Sequence, residues 1–245
     1  MKRLAEGGRL FGLSLTSAQI TAFQRYANQL LEWNQRFNLT AVTEPEQVEI
    51  RHFLDSLSCL LALRAVSCES VPAWLSRSLR ALDIGTGAGF PGLPLKIVWP
   101  NLRLTLLESR KKKVRFLEHI IDDLGLTTVN ALHDRAETLA HQPQHREAYD
   151  LVLVRAVAET PVLLEYALPF CCRGGLVLAQ KGEAAAAEAI ASQRALALLG
   201  GELRRIVPIE IPGLADTPRI MVVEKSARTP ARYPRRPGMP RKRPL

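Results

Sequence analysis

Asp83-Ile84-Gly85-Thr86-Gly87-Ala88-Gly89-Phe90-Pro91-Gly92 is the stretch on which the fold turns. The apolar run Ala81-Leu82-Asp83-Ile84 reads as a buried strand, and residues 91–98 continue with a helical apolar pattern. A glycine-rich turn from strand to helix is where an open α/β sheet holds a ligand, because glycine lets the backbone turn tightly and come close to it. Residues 87–92 also satisfy Gly-x-Gly-x-x-Gly, a dinucleotide pattern that is weak by itself. Gly85 directly follows the strand, so the core is instead Gly-x-Gly-x-Gly over Gly85, Gly87 and Gly89, with an acid, Asp83, two residues ahead of it. Glu108, at the end of the next apolar run, is placed to accept hydrogen bonds from both hydroxyls of a ribose. A purely structural glycine turn stays open as the alternative.

Working outward, further strand-like runs occur at Leu102–Leu107, Thr128–Leu132, Tyr149–Val154 and Leu176–Ala179, with helical patterns at 91–98, 110–124, 159–170 and 183–199. This alternation predicts a parallel sheet covered on both faces. Glu202–Ile211 and Arg219–Lys225 are joined by seven residues, too few for a helical crossover, which predicts an antiparallel hairpin. A dinucleotide-binding sheet stays parallel, whereas an α/β sheet closed by such a hairpin is the plan of the class I S-adenosylmethionine-dependent methyltransferases, in whose loop an acid at the place of Asp83 is typical. Ahead of the sheet, Thr16-Ser17-Ala18-Gln19 has capping-box spacing and opens an amphipathic helix to about Arg36, and Thr43-Glu44-Pro45-Glu46 opens a second. The predicted class is therefore an α/β, Rossmann-like, seven-stranded sheet with a terminal hairpin. Residues 1–75 form a small helical subdomain, 76–227 the sheet domain and 228–245 a basic, proline-rich tail.

With 245 residues, 47% hydrophobic and 23% charged, the composition is that of a folded domain and disfavours disordered, collagen-like and disulfide-stapled classes. The formal charge of +9 is unevenly distributed: the tail from Arg228 holds seven basic residues and no acid, leaving 26 basic against 24 acidic in residues 1–227. Its five prolines predict an extended, solvated arm, read either as a solubilising terminus or as a contact for phosphates. On the second reading, removing residues 228–245 weakens RNA binding and spares the cofactor site. Cys59, Cys68, Cys171 and Cys172 match no disulfide or zinc spacing, so no metal is expected. No secretory leader or membrane-length apolar run is evident, and a cytoplasmic, monomeric protein without membrane association is expected.

At the end of the fourth run, Val154-Arg155-Ala156-Val157-Ala158 replaces the Asn/Asp-Pro-Pro-aromatic motif of N6-adenine and amide methyltransferases. Cys171-Cys172 precede the fifth run at its far end and read as structural thiols rather than a C5-pyrimidine nucleophile. Trp33-Asn34-x-x-Phe37-Asn38-Leu39-Thr40, Arg51-His52-Phe53-Leu54-Asp55-Ser56-Leu57, the glycine loop with Phe90-Pro91-Gly92, Glu108-Ser109-Arg110-Lys111-Lys112-Lys113, Arg135-Ala136-Glu137, Arg155-Ala156-Val157-Ala158 and Lys181-Gly182 together resemble one family. It is the bacterial small-subunit ribosomal RNA guanine-N7 methyltransferases, RsmG or GidB. The tail from Tyr233 to Leu245 is similar to that of one branch, while the first fifteen residues match nothing.

The resemblance implies methyl transfer from S-adenosylmethionine to N7 of one guanine in the decoding-region loop of 16S rRNA, as free rRNA, small subunit or assembly intermediate. It assigns cofactor contacts to Gly85, Phe90, Ala136, Glu137 and Arg155, with Glu108, Ser109 and Arg110 at the ribose, Asp83, Gly87 and Gly89 in the loop, and Arg155 at the catalytic edge. Guanine N7 has a lone pair and no proton, so alignment without a general base suffices. Candidate RNA contacts are Asn38, His52, Lys111, Lys112, Lys113, Arg235 and Arg236. Lys111–Arg115 reads either as a solvated face or as a phosphate contact. His52 and Asp55 share a helix face and read equally as a buried pair or as a guanine reader. Trp33 and Phe37 read as core or as a base-stacking pair.

Overall fold

The structure, a computed structural model, describes residues 1–155 and 158–245; Ala156 and Val157 of the strand-end motif lie outside the described residues. The helices before the sheet are α1 (Lys2–Leu10), α2 (Ser17–Phe37), α3 (Pro45–Val48), α4 (Asp55–Leu57), α5 (Cys59–Ser67) and α6 (Val71–Leu75), with a π-helical segment, Glu49–Leu54, joining α3 to α4. The capping box of α2 forms: Gln19 N donates to Thr16 Oγ1 over 3.2 Å and Thr16 N donates to Gln19 Oε1 over 2.9 Å. The helix ends where Asn38 turns left-handed (φ 48°). The cap of α3 is Glu44 rather than Thr43, and its side chain makes no capping bond. No sequence pattern announces α1, since Gly7 and Gly8 weaken its propensity, and packing overrides that weakness. Leu4 is fully buried with its N–H on Glu49 Oε2 (3.0 Å), and Leu54 fills the space that a Cβ on Gly7 would take, 2.6 Å away.

The sheet alternates β1 (Arg80–Ile84), α7 (Gly92–Val98), β2 (Arg103–Glu108), α8 (Lys111–Asp123), β3 (Val129–His133), α9 (Ala136–Leu139), β4 (Tyr149–Arg155), α10 (Thr160–Ala167), β5 (Cys171–Lys181), α11 (Ala185–Ala191), α12 (Gln193–Leu199), β6 (Gly201–Pro208) and β7 (Arg219–Lys225). Its order is β3-β2-β1-β4-β5-β7-β6. The first five strands run parallel, while β7 inserts antiparallel between β5 and β6. The helix expected over 183–199 breaks into two at Ser192, whose hydroxyl bonds the Glu188 carbonyl over 2.6 Å. Cys171 and Cys172 open β5, at the end away from the glycine loop, and burial raises the pKa of both thiols. Two apolar layers sandwich the sheet. Phe23, Tyr26 and Phe53 of the leading helices share one core with Trp99, Leu106 and Phe116, so these helices are continuous with the sheet's own packing. Val152, Leu163, Phe170, Leu199 and Tyr233 occupy the opposite face. Among the described residues no helix is long and apolar enough to cross a membrane.

The expectation of an extended, solvated tail is corrected. Residues 226–245 wrap over the second face and end in a single turn, α13 (Met239–Lys242). Arg146 donates to the carbonyls of Thr229, Pro230 and Tyr233, and His141 Nε2 lies 2.8 Å from the Pro234 carbonyl. Glu165 of α10 is fully buried, and its carboxylate accepts from the backbone N of Arg235 (2.8 Å) and from Arg235 Nε and Nη2 (2.9 and 2.6 Å). A buried carboxylate without such a partner is costly, so this pair fixes the tail's path. Arg235 is therefore engaged within the fold through Glu165, whereas Arg236 beside it is exposed.

Removing one partner of a buried pair leaves the other uncompensated. We expect Arg235→Ala to lose about 3 kcal/mol in urea unfolding and Arg236→Ala, with the same charge change, to stay within about 0.5 kcal/mol of the parent. Equal losses from the two would reject the anchoring role.

Candidate active site

The carboxyl ends of the five parallel strands meet along one edge, where the glycine loop follows β1. The loop is pinned to β2 through Gly85 N and Thr86 N, which both donate to the Leu107 carbonyl (2.8 and 3.3 Å). Gly85, Gly87 and Gly89 all have positive φ (65°, 63° and 102°). At Gly89 the constraint is doubled, because a Cβ would lie 2.4 Å from Leu93 Cδ1 and 2.5 Å from the Tyr26 hydroxyl. Asp83 is buried beneath the loop: its Oδ2 accepts from Thr86 Oγ1 (2.6 Å) and Gly92 N (2.8 Å), while Oδ1 is buried without a hydrogen-bond partner. Burial pushes its carboxyl up to about 6, against the opposing pull of those two hydrogen bonds and of Arg155. Glu108, also buried, accepts from Gly87 N through one oxygen (3.1 Å) and from Arg110 N through the other (2.8 Å), tying the loop to the start of α8.

A cleft of about 240 Å³ opens beside the loop. Of the expected cofactor residues it brings together Gly85, Ser109, Ala136 and Glu137; Ile84, Leu107, Asp134, Arg135, Tyr166, Gly238 and Arg241 complete the wall. The last three come from α10 and the tail; Gly238 lies in the tail stretch that resembles one branch of the family, while Tyr166 and Arg241 fall at no matched position. Asp83, Gly87 and Glu108 stand behind this wall as supports of the loop. Arg110, the residue before α8, is exposed, as are Lys111 and Lys112. A Cβ on Gly87 would sit 3.6 Å from Lys113 Nζ, which places that ammonium over the loop.

Phe90 points elsewhere. Its ring is buried and packs against His52 (centroids 4.5 Å, planes 16° apart) and Tyr26 (5.5 Å, 21°), with the Arg155 guanidinium 5.0 Å from its centre. The side chain therefore clamps the leading helices to the loop, where sequence assigned it to the cofactor. The Tyr26 hydroxyl adds a bond to the Ala88 carbonyl (2.5 Å). Arg155 Nη1 donates to Asp55 Oδ2 (3.0 Å) and Arg155 Nη2 lies 3.4 Å from His52 Nδ1, while His52 Nε2 is 2.7 Å from Thr40 Oγ1. His52 and Asp55 thus make neither a pair with each other nor a free reader; both hold Arg155. Burial, reinforced by Arg155, lowers His52 to about 4, so its ring is neutral at physiological pH. Burial raises Asp55, and Arg155 opposes the shift. A second cleft of about 430 Å³ lies beside this group, lined by Arg51, Asp55, Lys181 and the β6–β7 loop at Leu214–Pro218. Asn38, the exposed cap of α2, is not among the residues lining either cleft. Trp33 and Phe37 pack on each other (5.4 Å) and Trp33 on Phe116, on the core side of α2.

Residues 19–212 match the sequence profile of the GidB family, described as rRNA small subunit methyltransferase G. The chain belongs to that family. It is 47% identical over 235 residues, 96% of its length and 95% of the relative's, to the ribosomal RNA small subunit methyltransferase G of Roseiflexus castenholzii. It is 43% identical, over the whole of both chains, to the protein of that name from Dehalococcoides mccartyi. Among solved structures, a mutant of MtNAS in complex with S-adenosylmethionine aligns with TM-score 0.54 at 16% identity, covering 91% of this chain and 78% of that one. TrmN from Thermus thermophilus aligns with TM-score 0.50 at 22% identity, covering 72% and 53%. Both likenesses concern the fold, that of the class I methyltransferases.

The residues present fit S-adenosylmethionine as the cofactor: a left-handed glycine turn leaves room for close approach, and the buried, unpartnered Asp83 Oδ1 offers a counter-charge to a cation. Below about pH 6 Asp83 holds its proton, and a cationic ligand favours the ionised form. We expect affinity for S-adenosylmethionine to rise about tenfold between about pH 5 and pH 7, as the ionised fraction grows, and the rise to vanish in Asp83→Asn. Calorimetric titration across that range checks it; a flat profile in the unaltered chain contradicts the assignment.

Proposed function

We propose that this chain transfers a methyl group from S-adenosylmethionine to N7 of one guanine in the decoding-region loop of 16S rRNA. It acts in the cytoplasm as a monomer, on rRNA or a small-subunit assembly intermediate. The observation that carries the reading is family membership across residues 19–212 together with near full-length relatives named for small-subunit rRNA methylation. The geometry supports it. His52 has a polar contact at each ring nitrogen and Asp55 is paired to Arg155, so neither stands ready to take a proton, and guanine N7 has none to give.

When bound, S-adenosylmethionine supplies a methyl group on a positively charged sulfur, open to in-line displacement. The chain's own residues do the aligning. The glycine loop holds the charged end, with the buried Asp83 carboxyl beneath it as counter-charge, and the residues around Ser109 and Ala136 line the adenosyl end. Arg155 is fixed by Asp55, His52 and Phe90, and Asp55 also lines the second cleft, beside Arg51 and Lys181, where the guanine enters. Lys111 and Lys112 on the same edge, and Arg236 on the tail, meet backbone phosphates.

Tritium from labelled cofactor is expected in 16S rRNA at one guanine, which then becomes sensitive to N7-specific strand scission, with the preferred state found by comparing naked rRNA, small subunits and whole ribosomes. Cofactor binding without label in any of these would leave an RNA-binding factor that kept the fold, and label outside N7 would overturn the site assignment. We further expect Arg155→Ala to lower transfer about a hundredfold or more while still melting cooperatively; undiminished transfer would remove Arg155 from the reacting edge.

A further inference from the structure

The tail does more than cover the second core face. After the Arg235–Glu165 anchor the chain turns at Gly238, whose N–H donates to Glu137 Oε1 over 3.0 Å, and Gly238 and Arg241 then stand in the wall of the cleft beside the glycine loop. Glu137 is buried, so this bond ties the turn to a residue that faces the cleft. Glu137 and Arg241 both face the phenol of the buried Tyr166 side chain, on the same wall. The same cleft has an apolar lining at Ile84, Leu107 and Ala136. A flat heterocycle seated between an apolar floor and a guanidinium is held by burial on one face and by cation–π attraction on the other, a use to which arginine is better suited than lysine.

We propose that the turn Gly238–Arg241 is the outer wall of the adenosyl subsite, with the Arg241 guanidinium lying over the adenine ring. The site is then assembled from both ends of the domain: its floor comes from β1 and β2, and its cover from a segment more than a hundred residues later in the chain. This rests on the reading of the cleft as the S-adenosylmethionine site. It also reverses the division of labour that charge alone suggests, because loss of the tail costs cofactor affinity directly rather than only RNA affinity.

Two ligands separate the subsite from the rest of the site: S-adenosylhomocysteine spans it all, and 5′-methylthioadenosine fills the adenosyl part alone. Calorimetry on the full chain is expected to show Arg241→Ala binding both about tenfold more weakly, and a chain ending at Pro237, which keeps the Arg235–Glu165 anchor, losing at least as much. Arg194→Ala, an exposed and distant arginine on α12, should keep both affinities and so exclude a net-charge effect. Ligand-free melting curves establish that each variant is folded. Affinities within twofold of the parent for both tail variants would overturn the proposal. So would a loss confined to S-adenosylhomocysteine, which would place Arg241 at the amino-acid end. Failure of the unaltered chain to bind either ligand would remove the cofactor site itself, an outcome distinct from a tail without effect.

Discussion

The packing around the Phe90 ring is the interaction on which the working geometry rests. One aromatic side chain, carried by the glycine loop, receives Tyr26 from α2, His52 from the π-helical segment and Arg155 from the end of β4. Three separate parts of the chain are thereby referenced to a single point, within the layer where Phe53 also packs on the ring. Because an interior of this density does not yield gradually, the loop and the arginine are set relative to each other within narrow limits. The same packing explains why the leading helices are not an appendage: their buried face is completed by the loop, α7 and α8.

Charge inside the fold follows one logic in four places. Asp83, Glu165 and Lys225 are fully buried and Asp55 is largely so, each at a cost that only partners offset. Glu165 meets Arg235, and Lys225 meets Glu147, Thr229 and the carbonyls of Leu168 and Leu199, so both hold the tail. Asp55 meets Arg155 and holds it at the end of β4. Asp83 alone is left with an unpartnered oxygen, which is why its carboxyl rises toward neutrality and why a cationic ligand would relieve it. The structural pairs are complete; the incomplete one sits at the loop.

The parallel strands, the closing hairpin and the glycine turn were legible because each is local: a period, a spacing, a residue type that its backbone angle demands. The strand-end position of Arg155 was legible for the same reason, whereas Glu108, read as a ribose partner, spends its oxygens on Gly87 N and Arg110 N. The tail was misread because prolines forbid regular structure but do not forbid packing, and the acid that binds Arg235 is seventy residues away. Phe90 was assigned to the ligand because its motif surrounds the ligand; its ring packs on Tyr26, His52 and Phe53, contacts that no spacing along the chain announces.

Sequence by itself determined the family, the class of sheet, the loop and the chemistry that loop serves, since these depend on short patterns whose physics is contained in neighbouring residues. The tertiary structure decided what covers the cleft, which cations are spent inside the fold and which face solvent, and that His52 and Asp55 act together on Arg155. Those outcomes depend on which distant groups are buried side by side. A buried charge finds its partner in space, and no spacing along the chain records that choice.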